Sequence, residues 1–177
     1  LSAAVVAAAG IGAVLPHPGS ALLSTGGAVR DPEDSVALLA TMLNAGPLSD
    51  VGAAFAFPEG ASWLTVGPSW LGYLPAALVG WLSDPVSGHN LGVGLGLMLL
   101  ALVVMLLARS HGVGVLPAIA AGAAAALCPA VIDEIDAISL DRATLYTAPL
   151  ALLCLDRAVH SPGWRWPVAA GFAVAAG

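Results

Sequence analysis

The sequence predicts an all-α protein: a polytopic bundle of transmembrane helices, with a large first external loop carrying amphipathic juxtamembrane helices. Three observations predict it. Of the 177 residues, 59% are hydrophobic and only 9% are charged, so the chain cannot keep its apolar surface from water by folding on itself, and lipid is the expected surrounding. Two long stretches, 89–108 and 113–132, contain no Asp, Glu, Lys or Arg and have about the 20 residues a bilayer-crossing helix needs. The charges that remain, eleven acidic residues and five arginines with a formal net of −6, gather in a few clusters between apolar runs. No lysine is present and no basic face can be built, which excludes a nucleic-acid binder. Cys128 and Cys154 both sit in apolar runs and read as small buried hydrophobes, without the further ligands a metal motif requires.

Residues 1–15 are apolar and Ala-rich but too short to cross alone, so they are expected to end a first span. Pro16-His17-Pro18-Gly19 stops that run, because proline lacks a backbone donor and restricts its predecessor. The external segment is expected over 16–88. Within it, Arg30-Asp31-Pro32-Glu33-Asp34 is an acidic knot in an otherwise nearly uncharged sequence, and it opens a short helix. Asp31 or Asp34 can cap that helix and Pro32 suits its first turn. Val36, Leu39, Ala40 and Leu43 then form an apolar stripe at helical spacing, expected to lie on the membrane surface. Residues 55–63 read as an extended aromatic loop around Pro58-Glu59-Gly60, and 70–82, with Pro75 inside, as a juxtamembrane helix that does not cross. Trp63, Trp70, Tyr73 and Trp81 are amphipathic aromatics of the kind that concentrate at membrane interfaces.

After the break at Ser83-Asp84-Pro85, spans are expected over 89–108 and 113–132. An acidic external loop follows at 133–142, then a shorter span at 143–156, and the start of a further span at 166–177. Arg109, Arg157 and Arg165 fall in two loops separated by two apolar segments, so both loops are expected in the cytoplasm, with the acidic loop and the long 16–88 segment outside. Leu1 is not an initiator methionine and Gly177 falls inside an apolar run. The sequence is therefore expected to be part of a longer membrane protein whose missing C-terminal helices are its packing partners. No complete signal peptide can be read in it.

Several short motifs occur in a telling order: Asp31-Pro32-Glu33-Asp34-Ser35, Phe57-Pro58-Glu59-Gly60, Asn90-Leu91, and Leu106-Leu107-Ala108-Arg109. Ala121-Gly122 ahead of Pro129, and Pro149-Leu150 leading to Leu155-Asp156-Arg157, complete the series. That order resembles the N-terminal part of a bacterial GT-C-type multi-pass membrane glycosyltransferase, or an uncharacterised relative in that superfamily. The resemblance implies a protein of the bacterial cytoplasmic (inner) membrane that moves a sugar from a polyprenyl-phosphate donor to an acceptor on the non-cytoplasmic side. One departure is that the second external loop offers Asp133, Glu134, Asp136 and Asp141 where such proteins often carry a histidine.

The resemblance places a catalytic base at Asp31 or Asp34. An acceptor hydroxyl is a weak nucleophile at neutral pH, and a carboxylate held near the headgroup layer can take its proton as the new bond forms. The competing reading makes Asp31 a helix cap and Asp34 a solvated first-turn acid. Arg30 can grip a donor phosphate through its guanidinium fork or simply pair with its acidic neighbours. Trp63 and Trp70 are candidates for stacking a sugar, or interfacial anchors. Asp133, Glu134 and Asp136 offer oxygens to a divalent cation, the one cofactor the residues leave open, or form a solvated acidic loop. His17, His89, His111 and His160 are scattered, without partners at catalytic spacing, and are expected in loops or at interfaces. A non-catalytic membrane scaffold of the same fold and a transporter are the competing functions. The transporter would be marked by broken or polar segments at mid-membrane.

Overall fold

A computed structural model describes residues 36, 39–40, 43–44, 50–51, 61–62, 70–131, 144–161 and 163–176. They are α-helical apart from turns and one two-residue antiparallel pairing, β1 (Asp50–Val51) with β2 (Ala61–Ser62), in the register Asp50 to Ser62 and Val51 to Ala61. Five helices carry the architecture: α1 (Trp70–Leu82), α2 (Pro85–Ser110), α3 (Val115–Ala126), α4 (Thr147–His160) and α5 (Arg165–Ala176). The all-α class is as expected. Among the described residues one helix, α2, is long and apolar enough to cross a membrane.

Proline sets where most of these helices begin. Pro85 is the first residue of α2, and Pro117, Pro149 and Pro167 each fall in the first turn of α3, α4 and α5. At those positions no intrahelical partner awaits the missing N–H, so proline costs nothing and its fixed φ favours the helix. The beginning of α2 has a second determinant. Asp84 is extended, and its Oδ1 accepts from the N–H groups of Val86 and Ser87, both at 3.0 Å, while Oδ2 accepts from the Ser87 hydroxyl at 2.6 Å. This N-cap starts α2 at Pro85, four residues before the expected boundary at 89. α4 likewise starts at Thr147 and runs through His160, rather than over 143–156, because Pro149 belongs to its first turn. α3 closes at Ala126, and Pro129 opens a separate turn through Val131, so the 113–132 run is not one uninterrupted helix.

The end of α2 is fixed by a glycine. Gly112 has φ of 81°. Its N–H reaches the Arg109 carbonyl and the Val113 N–H reaches the Ala108 carbonyl, both at 3.1 Å, the paired bonds of a Schellman C-cap. The chain turns there into α3.

α2 is the central helix: α1, α3 and α4 all pack on it, and α5 packs on α4. Contacts are made where side chains vanish. A Cβ on Gly88 would lie 2.5 Å from the Ala76 carbonyl and 2.8 Å from the Gly80 backbone, and a Cβ on Gly122 would collide with the Ala101 carbonyl. Backbones therefore approach through Gly and Ala, the usual way helices associate in lipid. Val36, Leu39, Ala40 and Leu43 are helical as expected, but Leu39 is fully buried and Leu43 presses on Gly80. The stripe's Leu39 and Leu43 are taken up by contacts within the protein rather than lying free on a membrane surface.

Candidate functional site

Arg30, Asp31, Asp34, Trp63, Asp133, Glu134 and Asp136 lie outside the described residues. Trp70 opens α1. Three polar constellations are described instead, at the two ends and near the middle of α2.

The middle one joins α1 to α4. Pro75 sits inside α1 and cannot donate to the Leu71 carbonyl one turn back. That carbonyl instead accepts a hydrogen bond from the Tyr146 hydroxyl at 3.2 Å, across 75 residues of sequence. Tyr146 and Thr144 are buried here. The position along α2 follows from helix lengths. α2 is about 39 Å long, α1 begins about 18 Å from the Ser83-Asp84 turn, and Tyr146 lies about 15 Å back from Asp156, which faces the other end of α2. The N-termini of α1 and α4 thus meet partway along α2 and the two helices diverge from that point. This broken arrangement was not expected from the sequence.

At the Asp84 end, Gly88, His89 and Asn90 are consecutive and all buried. Successive helical residues are about 100° apart, so this turn of α2 is enclosed over more than half its circumference. His89 is 1% exposed, and its Nε2 has no hydrogen-bond partner among the described residues. The expectation of a loop or interface histidine is overturned: the cap at Asp84-Pro85 draws His89 into the helix, and the glycine contact beside it closes α1 over that turn. The signal was present in Asp84-Pro85, a cap followed by a first-turn proline.

At the other end, Asp156 is shared by two histidines. Its Oδ1 lies 3.5 Å from His160 Nδ1 and 4.0 Å from His111 Nδ1, and the Asp156 backbone carbonyl lies 2.8 Å from His160 Nδ1. His111 follows α2 and His160 ends α4, so this carboxylate sits between the two helix ends. Arg109 donates through Nη1 to the Val113 carbonyl at 2.8 Å, bracing the same turn. His111 and His160 are both exposed; His160 pairs with Asp156 at the i,i+4 spacing the sequence allows within α4, whereas His111 reaches the same carboxylate only because α4 packs beside the end of α2.

Among the described residues, no three His, Cys, Asp or Glu side chains are grouped to hold a metal ion. Cys128 and Cys154 are free thiols, Cys154 buried and Cys128 partly so. Comparison with family models, with curated proteins and with solved structures finds no match.

Proposed function

We propose that this chain is the N-terminal part of a polytopic membrane glycosyltransferase of the GT-C type, using a polyprenyl-phosphate sugar donor on the non-cytoplasmic side of a bacterial inner membrane. The observation that carries the membrane part is α2: 26 residues long, apolar, and only 33% buried over its most apolar stretch. Around it the outward faces are also apolar. Leu74, Leu78 and Trp81 line one side of α1, Leu91, Leu95 and Leu106 one side of α2, and Val168 and Phe172 one side of α5, all exposed. Such exposed apolar faces suit acyl chains, not water.

The chemistry rests on the sequence resemblance. Asp31 or Asp34 takes the acceptor proton, Arg30 holds the donor phosphate, and Trp63 stacks the sugar; Trp70, which opens α1 partway along α2, lies away from the headgroup layer. Asp133, Glu134 and Asp136 are the residues that would hold a divalent cation, which would screen phosphate charge. The test is transfer from a panel of labelled polyprenyl-phosphate sugars by the full-length protein in proteoliposomes, with Asp31→Asn and Asp34→Asn compared to wild type. Loss of turnover in one variant that still folds supports the reading and names the base. Turnover unchanged in both variants sinks their role. Absence of transfer together with an unchanged cellular phenotype of the double variant favours a non-catalytic scaffold.

A transporter is the second reading, and the meeting of the α1 and α4 N-termini partway along α2 favours it, since broken helices at membrane depth build transport sites. Uptake of a labelled solute into proteoliposomes, abolished by changes at Thr144 or Tyr146, would support it over transfer.

A further inference from the structure

The polar end of α2 differs from its capped end in charge. Residues 70–108 contain no Arg or Lys, and Asp84 is the acid at that end. At the other end three helix termini converge: α2 closes with Arg109, α4 carries Arg157 in its last turn, and α5 opens with Arg165. Three of the five arginines in the whole sequence are therefore gathered at one end of the described bundle. The acid among them, Asp156, offsets one of these three charges and leaves the end net basic. Its side chain is only 15% exposed, and it is turned toward His111 and His160. Arg157 and Arg165 are exposed.

Two further features share this end. Trp164 is 73% exposed and Trp166 is exposed beside it, placing indoles where amphipathic aromatics sit in a headgroup layer. From the same end an apolar stripe runs back along α4 through Val159, Leu155 and Leu152, at helical spacing and open to the surroundings. Arg157 projects from the face of α4 opposite this stripe, about 200° round the helix from Leu155 and Val159, so the charge and the indoles, not the stripe, mark this end as a headgroup-facing surface.

We infer that the convergent ends of α2, α4 and α5 form a binding surface for anionic phospholipid, with the exposed Arg157 and Arg165 drawing the headgroup phosphate. The inference rests on the membrane reading of α2 and is independent of the glycosyltransferase chemistry. Arg109, partly engaged by the Val113 carbonyl, adds to the field rather than to the grip. Anionic lipid attracts a basic residue near the surface strongly enough to give roughly a fivefold preference for each arginine.

The test uses the full-length protein in detergent, offered equal amounts of phosphatidylglycerol and phosphatidylcholine, with retained lipid counted by native mass spectrometry. The expected result is a several-fold excess of phosphatidylglycerol on wild type. Arg157→Gln and Arg165→Gln should each lower that excess about fivefold, or to parity if it is smaller. Arg157→Lys and Arg165→Lys keep most of it, because the positive charge remains. Equal retention of the two lipids by folded wild type overturns the inference and leaves the transferase reading untouched, and so does an excess that survives both Gln substitutions. A protein that stays dispersed in buffer without detergent overturns the membrane reading and this inference with it.

Discussion

Removing the Tyr146 hydroxyl should matter only because Pro75 is where it is. In the native protein the proline strips the Leu71 carbonyl of its helical donor, and Tyr146 supplies a replacement at 3.2 Å. Tyr146→Phe removes that replacement donor. A net hydrogen bond is worth roughly 0.5–1.5 kcal/mol, and a stranded buried acceptor costs somewhat more. The bond is long for a hydroxyl donor, so we expect a loss of about 1 kcal/mol. Pro75→Ala restores a backbone N–H one turn from Leu71 and should itself stabilise α1, by on the order of 1–3 kcal/mol. With that donor present, Tyr146→Phe should cost no more than about 0.3 kcal/mol. The double-mutant cycle therefore predicts a coupling of roughly 0.7 kcal/mol, above the scatter of additive pairs. Reversible unfolding in mixed micelles, followed by helical circular dichroism, gives all four stabilities. If Tyr146→Phe costs the same in both backgrounds, the Leu71 carbonyl is not what the hydroxyl serves, and the link between α1 and α4 must be explained otherwise.

Other substitutions probe the same architecture. Gly88→Ala should destabilise by about 1–2 kcal/mol, because its Cβ meets the Ala76 carbonyl at 2.5 Å and overpacking outweighs the gain in helix propensity. Gly171→Ala, with nothing within 4 Å of the new Cβ, should instead stabilise by roughly 0.5–1 kcal/mol in the same assay. Gly112→Ala should cost about 1–2 kcal/mol, since φ of 81° puts a Cβ against the following carbonyl. Asp84→Ala should weaken the start of α2, while Asp84→Ser retains a capping oxygen and most of the stability. The Ser87 hydroxyl, and then the Ser87 and Val86 N–H groups, hold the Asp84 carboxyl below its ordinary value of 3.8. A depressed folded-state pKa means that this stabilisation is complete above the unfolded value and disappears as pH falls through the folded one. An acid titration should therefore show a loss in wild type that Asp84→Ser lacks.

Composition alone carried the helical class, and the run without charged residues after Asn90 carried α2, the one helix among the described residues long and apolar enough to cross a membrane. What the sequence read poorly was where helices begin. Pro85 was read as a break and Pro149 as a residue inside a span, yet each, like Pro117 and Pro167, lies in a first turn, where a missing donor is harmless. Pro75 is the exception, and there the lost bond was replaced from a distant residue that no local pattern could reveal. The same limit applies to the polar groups. The burial of His89 depends on α1 closing over α2, and the sharing of Asp156 depends on α4 lying beside the end of α2; both are tertiary facts. The acidic candidates Asp31, Asp34, Asp133, Glu134 and Asp136 remain defined by sequence, so their roles rest on the transfer assay.

The account depends most directly on α2 crossing a bilayer with its Asp84 end outside. Cys128 and Cys154 can be replaced by alanine, and single cysteines placed at Ser83 and at Ser110, the two ends of α2. Cells are then treated with a membrane-impermeant maleimide before and after permeabilisation. The account predicts that Ser83→Cys is labelled on intact cells, whereas Ser110→Cys is labelled only once the membrane is opened. Labelling of both positions on intact cells, or of neither, would contradict it.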